Sequence, residues 1–569
     1  MTSPESETSA AEFLATTLEA YGVSAVFFVP TILSRTLYEL ESRTGVQRIL
    51  THGEKAAAYM ADGYARATGR PGVCMAQNVG AANLAAGLRD PFLACSPVLA
   101  ITGGPYEYSR GRSYYQEIED FPLFKPVTKF SAQVTQAARL PDLLEHAFTV
   151  ATSGRPGPVH LELNGHSGEP IETGALEGPP VRQTTWEVPR VRMQAEAGTL
   201  AEAARLLASA RRPVLVAGGG ARASGAGPEL ITLAERLNVP IATSLNAKDV
   251  IPGDHRLNVG VPGVYARASA NQVLLEADLV FFVGSKAGSQ VTFNWQVPPV
   301  GTQVIQLDIE PAEIGRHYPG TVGVAADAKL GLQQLLEVVD PGGAASRSPW
   351  LSRVRELGEK WRSEQQPLLS SDQSPIRPER LCAELTDHLP GNAILMSDTG
   401  HSGMWTGGFV DLHDPSQGYL RAAGSLGWGL PGALGAQIGA PDRPVVLFTG
   451  DGGLWYHLAE LETAARWNIP ATIVVNNNGS LNQEIGVYSA AYGGSLHGRH
   501  GELWHFRDTN FAEVAASMGV TGLRVQKPSE LEGALAQAIE TDGPVLVDVV
   551  TDIEALAPRA SAKPAPQGA

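Results

Sequence analysis

Cysteine is nearly absent from this chain: Cys74, Cys95 and Cys382 are the only three in 569 residues, far apart and mostly in apolar surroundings. They read as free buried thiols, and no disulfide framework follows from them. Positive charge is also short, with 43 Lys and Arg against 59 Asp and Glu and a net charge of −16. That balance argues against nucleic acid or an anionic membrane surface as partner, while leaving room for a local basic pocket. No apolar run approaches the length of a membrane span. Residues 1–11 are polar and acidic, unlike the basic start and apolar core of a secretory leader. These absences lead to the expectation of a cytoplasmic protein.

What is present is a globular composition, 43% hydrophobic and 18% charged, on a length suited to about three to four domains. Residues 449–480 organise the rest. An apolar run at 444–449 predicts a buried strand, turned sharply by Gly450, Asp451 and Gly452. A helix with Leu458, Leu461 and Ala465 on its apolar face should follow, then a second buried strand at 471–475 that stops at Asn476-Asn477-Asn478-Gly479. A parallel strand–helix–strand unit places both loops at one sheet edge, where doubly wound folds bind ligands. The donors there are all oxygens: the Asp451 carboxylate, the Asn478 amide carbonyl and the Ser480 backbone carbonyl suit magnesium with a diphosphate. Glycines 450, 452 and 453 let backbone N–H groups approach phosphate at a helix start. Taken singly, each piece also reads as an ordinary turn or loop.

Together the pair resembles the thiamin-diphosphate signature, GDG followed by a double Asn, with the spacing of the acetohydroxyacid synthase, benzoylformate decarboxylase and pyruvate decarboxylase family. The resemblance implies an α/β fold of three doubly wound domains with mainly parallel sheets. It divides the chain into a pyrimidine-binding domain at 1–165, a linker at 166–190, a central nucleotide-binding-like domain at 191–340, a linker and helix at 341–375, a diphosphate-binding domain at 376–558, and a disordered tail at 559–569. Residues 52–69 are similar to the family's HEQGAAHAADGYARATG helix, and Glu54 falls on its cofactor-activating glutamate. Such an acid should be secluded, with a raised pKa. By the same resemblance Asn83 and Gln116 line the site, and Thr399, His401 and Ser402 bind phosphate oxygens. Gly424 supplies a backbone acceptor to the cofactor's amino group, and Leu426 wedges the cofactor into its bent shape. Each has an ordinary loop or capping role as its alternative.

Elsewhere the chain departs from the pattern. Asn78 and Val79 replace the usual Gly-Pro of a site-facing turn, and Asn482 stands where Gly is frequent. Glu484 falls where pyruvate decarboxylases carry a catalytic glutamate, though their tandem histidines are absent. His497, Arg499 and His500 lie on a Gly-rich loop that reads either as a lid or as solvated surface. Residues 218–223 match a loose G-x-G-x-x-A, a weak dinucleotide signal. The family's synthases hold FAD in the central domain, but the corresponding segment carries Lys286 and Gln290 where they have arginines. FAD stays possible and a purely structural central domain is preferred. The strand VHLEL at 159–163 alternates as a half-buried strand would.

The expected reaction is decarboxylation of a 2-oxo acid followed by carboligation of the enamine to a second carbonyl. Simple decarboxylation to an aldehyde is the alternative, and a flavin or nicotinamide oxidoreductase or a non-catalytic cofactor-binding protein are more distant ones. The family's active glutamate reaches the cofactor from a partner subunit, which implies a homodimer or homotetramer.

Overall fold

The computed structural model of the protein describes residues 8–176, 187–265 and 267–558; the expected tail at 559–569 lies outside them. Three six-stranded sheets form the cores of three domains, and every strand pair within them is parallel. Parallel pairing follows from the sequence, because short Val, Ile, Leu and Phe runs alternate with helical stretches long enough for crossovers.

The N-terminal sheet runs Gln47–Leu50, Ala25–Phe28, Gly72–Ala76, Val98–Gly103, Val159–Leu163, Phe130–Val134. The central sheet runs Asn258–Gly260, Ile241–Thr243, Pro213–Ala217, Leu279–Val283, Gln303–Asp308, Val322–Ala325, and the C-terminal sheet Gly418–Arg421, Ile394–Ser397, Val445–Gly450, Thr472–Asn477, Val545–Val550, Thr521–Val525. A short antiparallel pair, Thr8–Ser9 with Ala175–Leu176, ties the chain after the first sheet back to its start.

Two expectations are corrected. Val159–Leu163 is buried on both faces, because it lies inside the sheet and Phe124 stacks on His160 with ring centroids 3.5 Å apart. The single helix expected after Gly452 is two short ones, Asp451–Trp455 and Glu460–Arg466. The break between them is held where His457 Nδ1 meets the Gly427 carbonyl at 2.7 Å.

The first and third domains meet along two helices, Glu54–Thr68 and Gly429–Gly439. A Cβ on Gly63 would lie 1.9 Å from the Gly432 carbonyl oxygen, and one on Gly435 would lie 1.9 Å from that of Met60. The two backbones touch there, and only glycine permits it. The Ala-rich helix ends at Gly69, whose left-handed φ of 68° lets it cap the last turn.

Candidate active site

Asp451 begins its helix at the carboxyl end of Val445–Gly450, and Asn478 follows the adjacent strand Thr472–Asn477, with Gly450 opposite Asn476 in the register. The Asp451 carboxylate is buried and accepts the Ser480 N–H at 2.9 Å. Burial pushes its pKa up to about 7 against the backbone N–H groups that face it. Beside it, the Asn478 Oδ1 and Ser480 Oγ atoms are buried without a partner. Unpaired buried oxygens are costly unless a ligand satisfies them. A buried carboxylate with an orphaned amide oxygen is a donor set that fits a hard divalent cation.

The walls of this crevice come from the neighbouring strand ends. Asp398, after Ile394–Ser397, accepts N–H groups from Thr399 at 2.7 Å, Gly427 at 3.1 Å and Gly429 at 3.2 Å, and the Thr449 hydroxyl at 3.3 Å. Its pKa is raised to about 6 by burial. A Cβ on Gly453 would sit 2.7 Å from Asp398 Oδ2, so the glycine is what lets the helix start pack there. Ser402 is buried at the same edge and faces Gly450, whose Cβ would meet nothing nearer than Ser402 Oγ at 3.8 Å. His401 Nδ1 meets Asn482 Oδ1 at 2.8 Å, and Asn482 is held in turn by its amide donating to Ile553 and Ala555 carbonyls. Residues 504–506 strap the metal loop: Leu481 N–H donates to Trp504 O at 2.8 Å and Phe506 N–H to Gly479 O at 2.7 Å.

The Gly424 loop is set by residues that the sequence reading passed over. Asp90, fully buried, accepts the N–H groups of Ala423 at 2.9 Å and Ser425 at 3.0 Å, flanking Gly424 on both sides. Arg66 bridges Asp90 and Asp62 and donates to the Arg421 carbonyl at 2.6 Å, while Asp62 takes the Trp428 indole N–H at 2.8 Å. Gly424 has φ 141°, and its backbone is open, with nothing within 4 Å of an added Cβ. Leu426 is half-buried beside it. Buried carboxylates at 62 and 90 leave no distinguishing mark in sequence, but Asp398 at a strand end could have been found from its position alone.

Glu54 lies on the other domain, at the first turn of its helix. It is half-buried in the single chain, less secluded than expected, since only protein from one side covers it. Its Oε2 accepts the Asn83 amide at 3.1 Å, and a Cβ on Gly80 would meet its carboxyl oxygen at 2.4 Å. The Gln116 carbonyl accepts the Asn78 amide at 2.7 Å, which anchors that loop beside the same edge. Gln116 itself adopts a left-handed φ of 59°. The structure therefore gathers Asp451, Asn478, Ser480, Thr399, His401, Ser402 and the glycines in one crevice, and pairs Glu54 with Asn83 on the other domain, while the Gln116 side chain meets Tyr115 and only its carbonyl is tied to Asn78. Glu484 is half-buried on the turn Asn482–Glu484, and its carboxylate makes no hydrogen bond among the described residues. Arg499 is exposed and paired with Glu502 at 3.4 Å, as a solvated loop residue would be.

Family models for the N-terminal binding domain, central domain and C-terminal binding domain of thiamine pyrophosphate enzymes match residues 8–123, 200–335 and 398–549. The chain belongs to the thiamine pyrophosphate enzyme family. It is 32% identical over 555 residues to a probable acetolactate synthase large subunit of Methanocaldococcus jannaschii, covering 95% of this chain and 92% of that protein. It is 29% identical to the acetolactate synthase large subunit of Haemophilus influenzae, covering 96% and 94%. Against the acetolactate synthase isozyme 3 large subunit of Escherichia coli K12 the identity is 29%, covering 96% and 95%. The site residues described above fall within the stretches that match the N-terminal and C-terminal binding domains of the family. In this thiamine pyrophosphate enzyme the glycines at 218 and 220 have a packing role. A Cβ on Gly218 would lie 2.2 Å from the Gly284 carbonyl, and one on Gly220 2.9 Å from Gly284 Cα. Among the described residues no helix is long and apolar enough to cross a membrane.

Proposed function

We propose that the protein uses thiamin diphosphate and magnesium to remove CO2 from a 2-oxo acid and join the remaining acyl unit to a second carbonyl, as an acetolactate-synthase-like carboligase. The observation that carries the reading is the buried Asp451 carboxylate beside the orphaned Asn478 oxygen at adjoining strand ends. Near-full-length similarity to proteins named acetolactate synthase large subunit supports carboligation over other fates.

Asp451, Asn478 and the Ser480 carbonyl hold the metal. Gly450, Gly452, Gly453, Thr399, His401 and Ser402 hold the phosphates through N–H and hydroxyl donors. Bound thiamin diphosphate supplies the nucleophilic carbon and the electron sink for decarboxylation. Gly424 would offer its carbonyl, kept in place by Asp90 on either side of it, and Leu426 would support the cofactor. Glu54 would hold the pyrimidine ring by a hydrogen bond, and Asn83, donating to the same carboxylate, orients it. Gln116 faces the substrate. The half-exposed state of Glu54 in one chain supports a homodimer or homotetramer in which a second copy completes the site. The location is cytoplasmic, and the central domain works without FAD.

A simple decarboxylase is the second reading, and one observation favours it: the Glu484 carboxylate is unengaged beside the metal loop and free to deliver a proton. The test is CO2 release from a panel of 2-oxo acids with thiamin diphosphate and magnesium, for the wild type and Glu54→Gln, with products identified by mass spectrometry. Release that falls at least about 100-fold in Glu54→Gln, with coupled products, is the expected result. Aldehyde alone selects the second reading, and no release from any acid in the panel removes both.

A further inference from the structure

One short helix runs from the metal crevice to the central domain. His401–Phe409, nine residues and about 14 Å long, starts at residues 399–402 beside the metal loop and ends against the central domain. Gly403 and Gly407, one turn apart, form its contact face. A Cβ on Gly403 would lie 3.4 Å from Tyr265 Cδ2, and one on Gly407 would lie 2.5 Å from Leu245 Cδ2. Just past the helix, the Gly253 N–H donates to the Leu412 carbonyl at 2.6 Å. Leu245, Gly253 and Tyr265 all belong to the central domain.

The last carbonyls of a helix have no partner within it, and two cations of the central domain take them here. Lys248 Nζ donates to the Gly407 carbonyl at 3.1 Å, and Arg267 Nε to the Gly408 carbonyl at 2.9 Å. Lys248 sits on the turn Leu245–Val250 after the strand Ile241–Thr243, and Arg267 directly precedes the helix Ala268–Glu276. Both side chains are buried. Arg267 also pairs with Asp411 at 2.6 Å, which offsets its charge. The charge left over at this helix end is that of Lys248. A cation at a helix C-terminus offsets the negative pole of the dipole, which leaves the positive pole at residues 399–402 to act on an anion. Burial keeps water from screening the effect.

We propose that Lys248 is a positioning residue for the diphosphate site: with Arg267 it fixes His401–Phe409 from the far end and keeps the phosphate-facing end of that helix positive. The proposal rests on the reading of residues 399–402 as phosphate-binding, and it gives the central domain the task of clamping a helix of its neighbour. Titration separates this task from plain packing. Burial, together with Arg267, brings the Lys248 pKa down from 10.5 to about 8, against Asp411 and Cys382, the other ionisable groups that face it. Lys248 is therefore charged at pH 7 and mostly neutral at pH 9. Because its folded pKa lies below the unfolded one, its share of global stability rises as pH climbs from 8 to 10.5. Phosphate affinity lost through Lys248 over that range runs opposite to stability.

The experiment measures the thiamin diphosphate Kd at saturating magnesium, by fluorescence quenching of the full chain at pH 7 and pH 9, in the wild type, Lys248→Met and Lys248→Arg, with magnesium pyrophosphate as a second probe. At pH 7 Lys248→Met should raise the Kd about 5-fold. Its thermal midpoint should stay close to wild type, because losing a buried charge offsets losing one hydrogen bond. At pH 9 the wild type should have lost most of its advantage over Lys248→Met, whereas Lys248→Arg, which stays charged, should keep that advantage at both pH values. Equal affinity of wild type and Lys248→Met at pH 7 overturns the proposal, as does a ratio of their Kd values that is the same at pH 7 and pH 9. Pyrophosphate bound without thiamin diphosphate removes the proposed function, and the same comparison made with pyrophosphate then decides the clamp. If neither probe binds the wild type, both fall.

Discussion

At the scale of single residues, buried carboxylates decide how the site is held. Asp90 carries no reacting atom, yet it fixes the two N–H groups on either side of Gly424 and is itself held by Arg66 at 2.8 Å. Asp90→Asn keeps the shape but removes the charge facing Arg66, and breaking a buried pair of this kind costs about 3–5 kcal/mol. The expected result is a thermal midpoint lowered by several degrees and a thiamin diphosphate Kd, read by fluorescence quenching, raised about 10-fold. Unchanged affinity with lowered stability would make Asp90 a domain fastener only. Glu162 gives a pH signature away from the metal crevice. It is buried under the loop bearing Arg110, Glu119 and Asp120, hydrogen-bonded by Gln133, and burial raises its pKa from 4.5 to about 7. A carboxyl whose folded pKa lies above its unfolded value binds protons more tightly when folded. Its stabilising share is therefore full below about pH 4.5 and is lost as pH rises through about 7. The loss is on the order of 2–3 kcal/mol. Glu162→Gln should flatten the decline of the thermal midpoint between pH 5 and 7, and an identical decline in both proteins would remove Glu162 as its source.

At the scale of elements, the strands were legible and the straps between them were not. The runs at 444–449 and 471–475 are short, apolar and bounded by glycine or asparagine, and they are observed as Val445–Gly450 and Thr472–Asn477. Once two such strands lie parallel, Asp451 and Asn478 must come to one edge. The pairing of residues 504–506 with 479–481 has no periodic signal, because it depends on a loop folding back across twenty-odd residues of irregular chain. Asp62 and Arg66 on the Ala-rich helix, and Asp90 on the short helix Arg89–Ala94, were equally hidden, since a charged residue on a helix looks solvated until the partner domain covers it. The helix crossing itself yields a prediction with an internal control. Gly435→Ala would drive a methyl to 1.9 Å from the Met60 carbonyl, where backbone has to give way, whereas Gly533, on the exposed face of the helix Leu531–Glu540, has nothing within 4 Å. Gly435→Ala should destabilise by at least about 3 kcal/mol. Gly533→Ala should stabilise by about 0.5–1 kcal/mol. Thermal midpoints moving in opposite directions confirm the close crossing, and a neutral Gly435→Ala would show that the helices separate without cost.

At the scale of the whole molecule, the two crevices stand on different domains, and the network from Asp62 to Asp90 fastens those domains within one chain. Glu54 meets Asn83 and Gly80 of its own domain, and the other side of its carboxyl is open. If the Glu54 of one copy serves the Asp451 crevice of another, two dead variants can repair each other. Glu54→Gln and Asp451→Ala should each be nearly inactive alone. In a mixed dimer, one site pairs the intact Glu54 of one chain with the intact Asp451 of the other, and the second site loses both. Random reassortment of a two-fold dimer makes half the molecules mixed, each with one working site of two, so activity should recover to about a quarter of wild type. The recovery should appear only after the mixture is dissociated and reassembled, with light scattering reporting a dimer or tetramer throughout. A site built within one chain would give no recovery at any mixing ratio, because every chain then lacks one of its own two essential carboxylates.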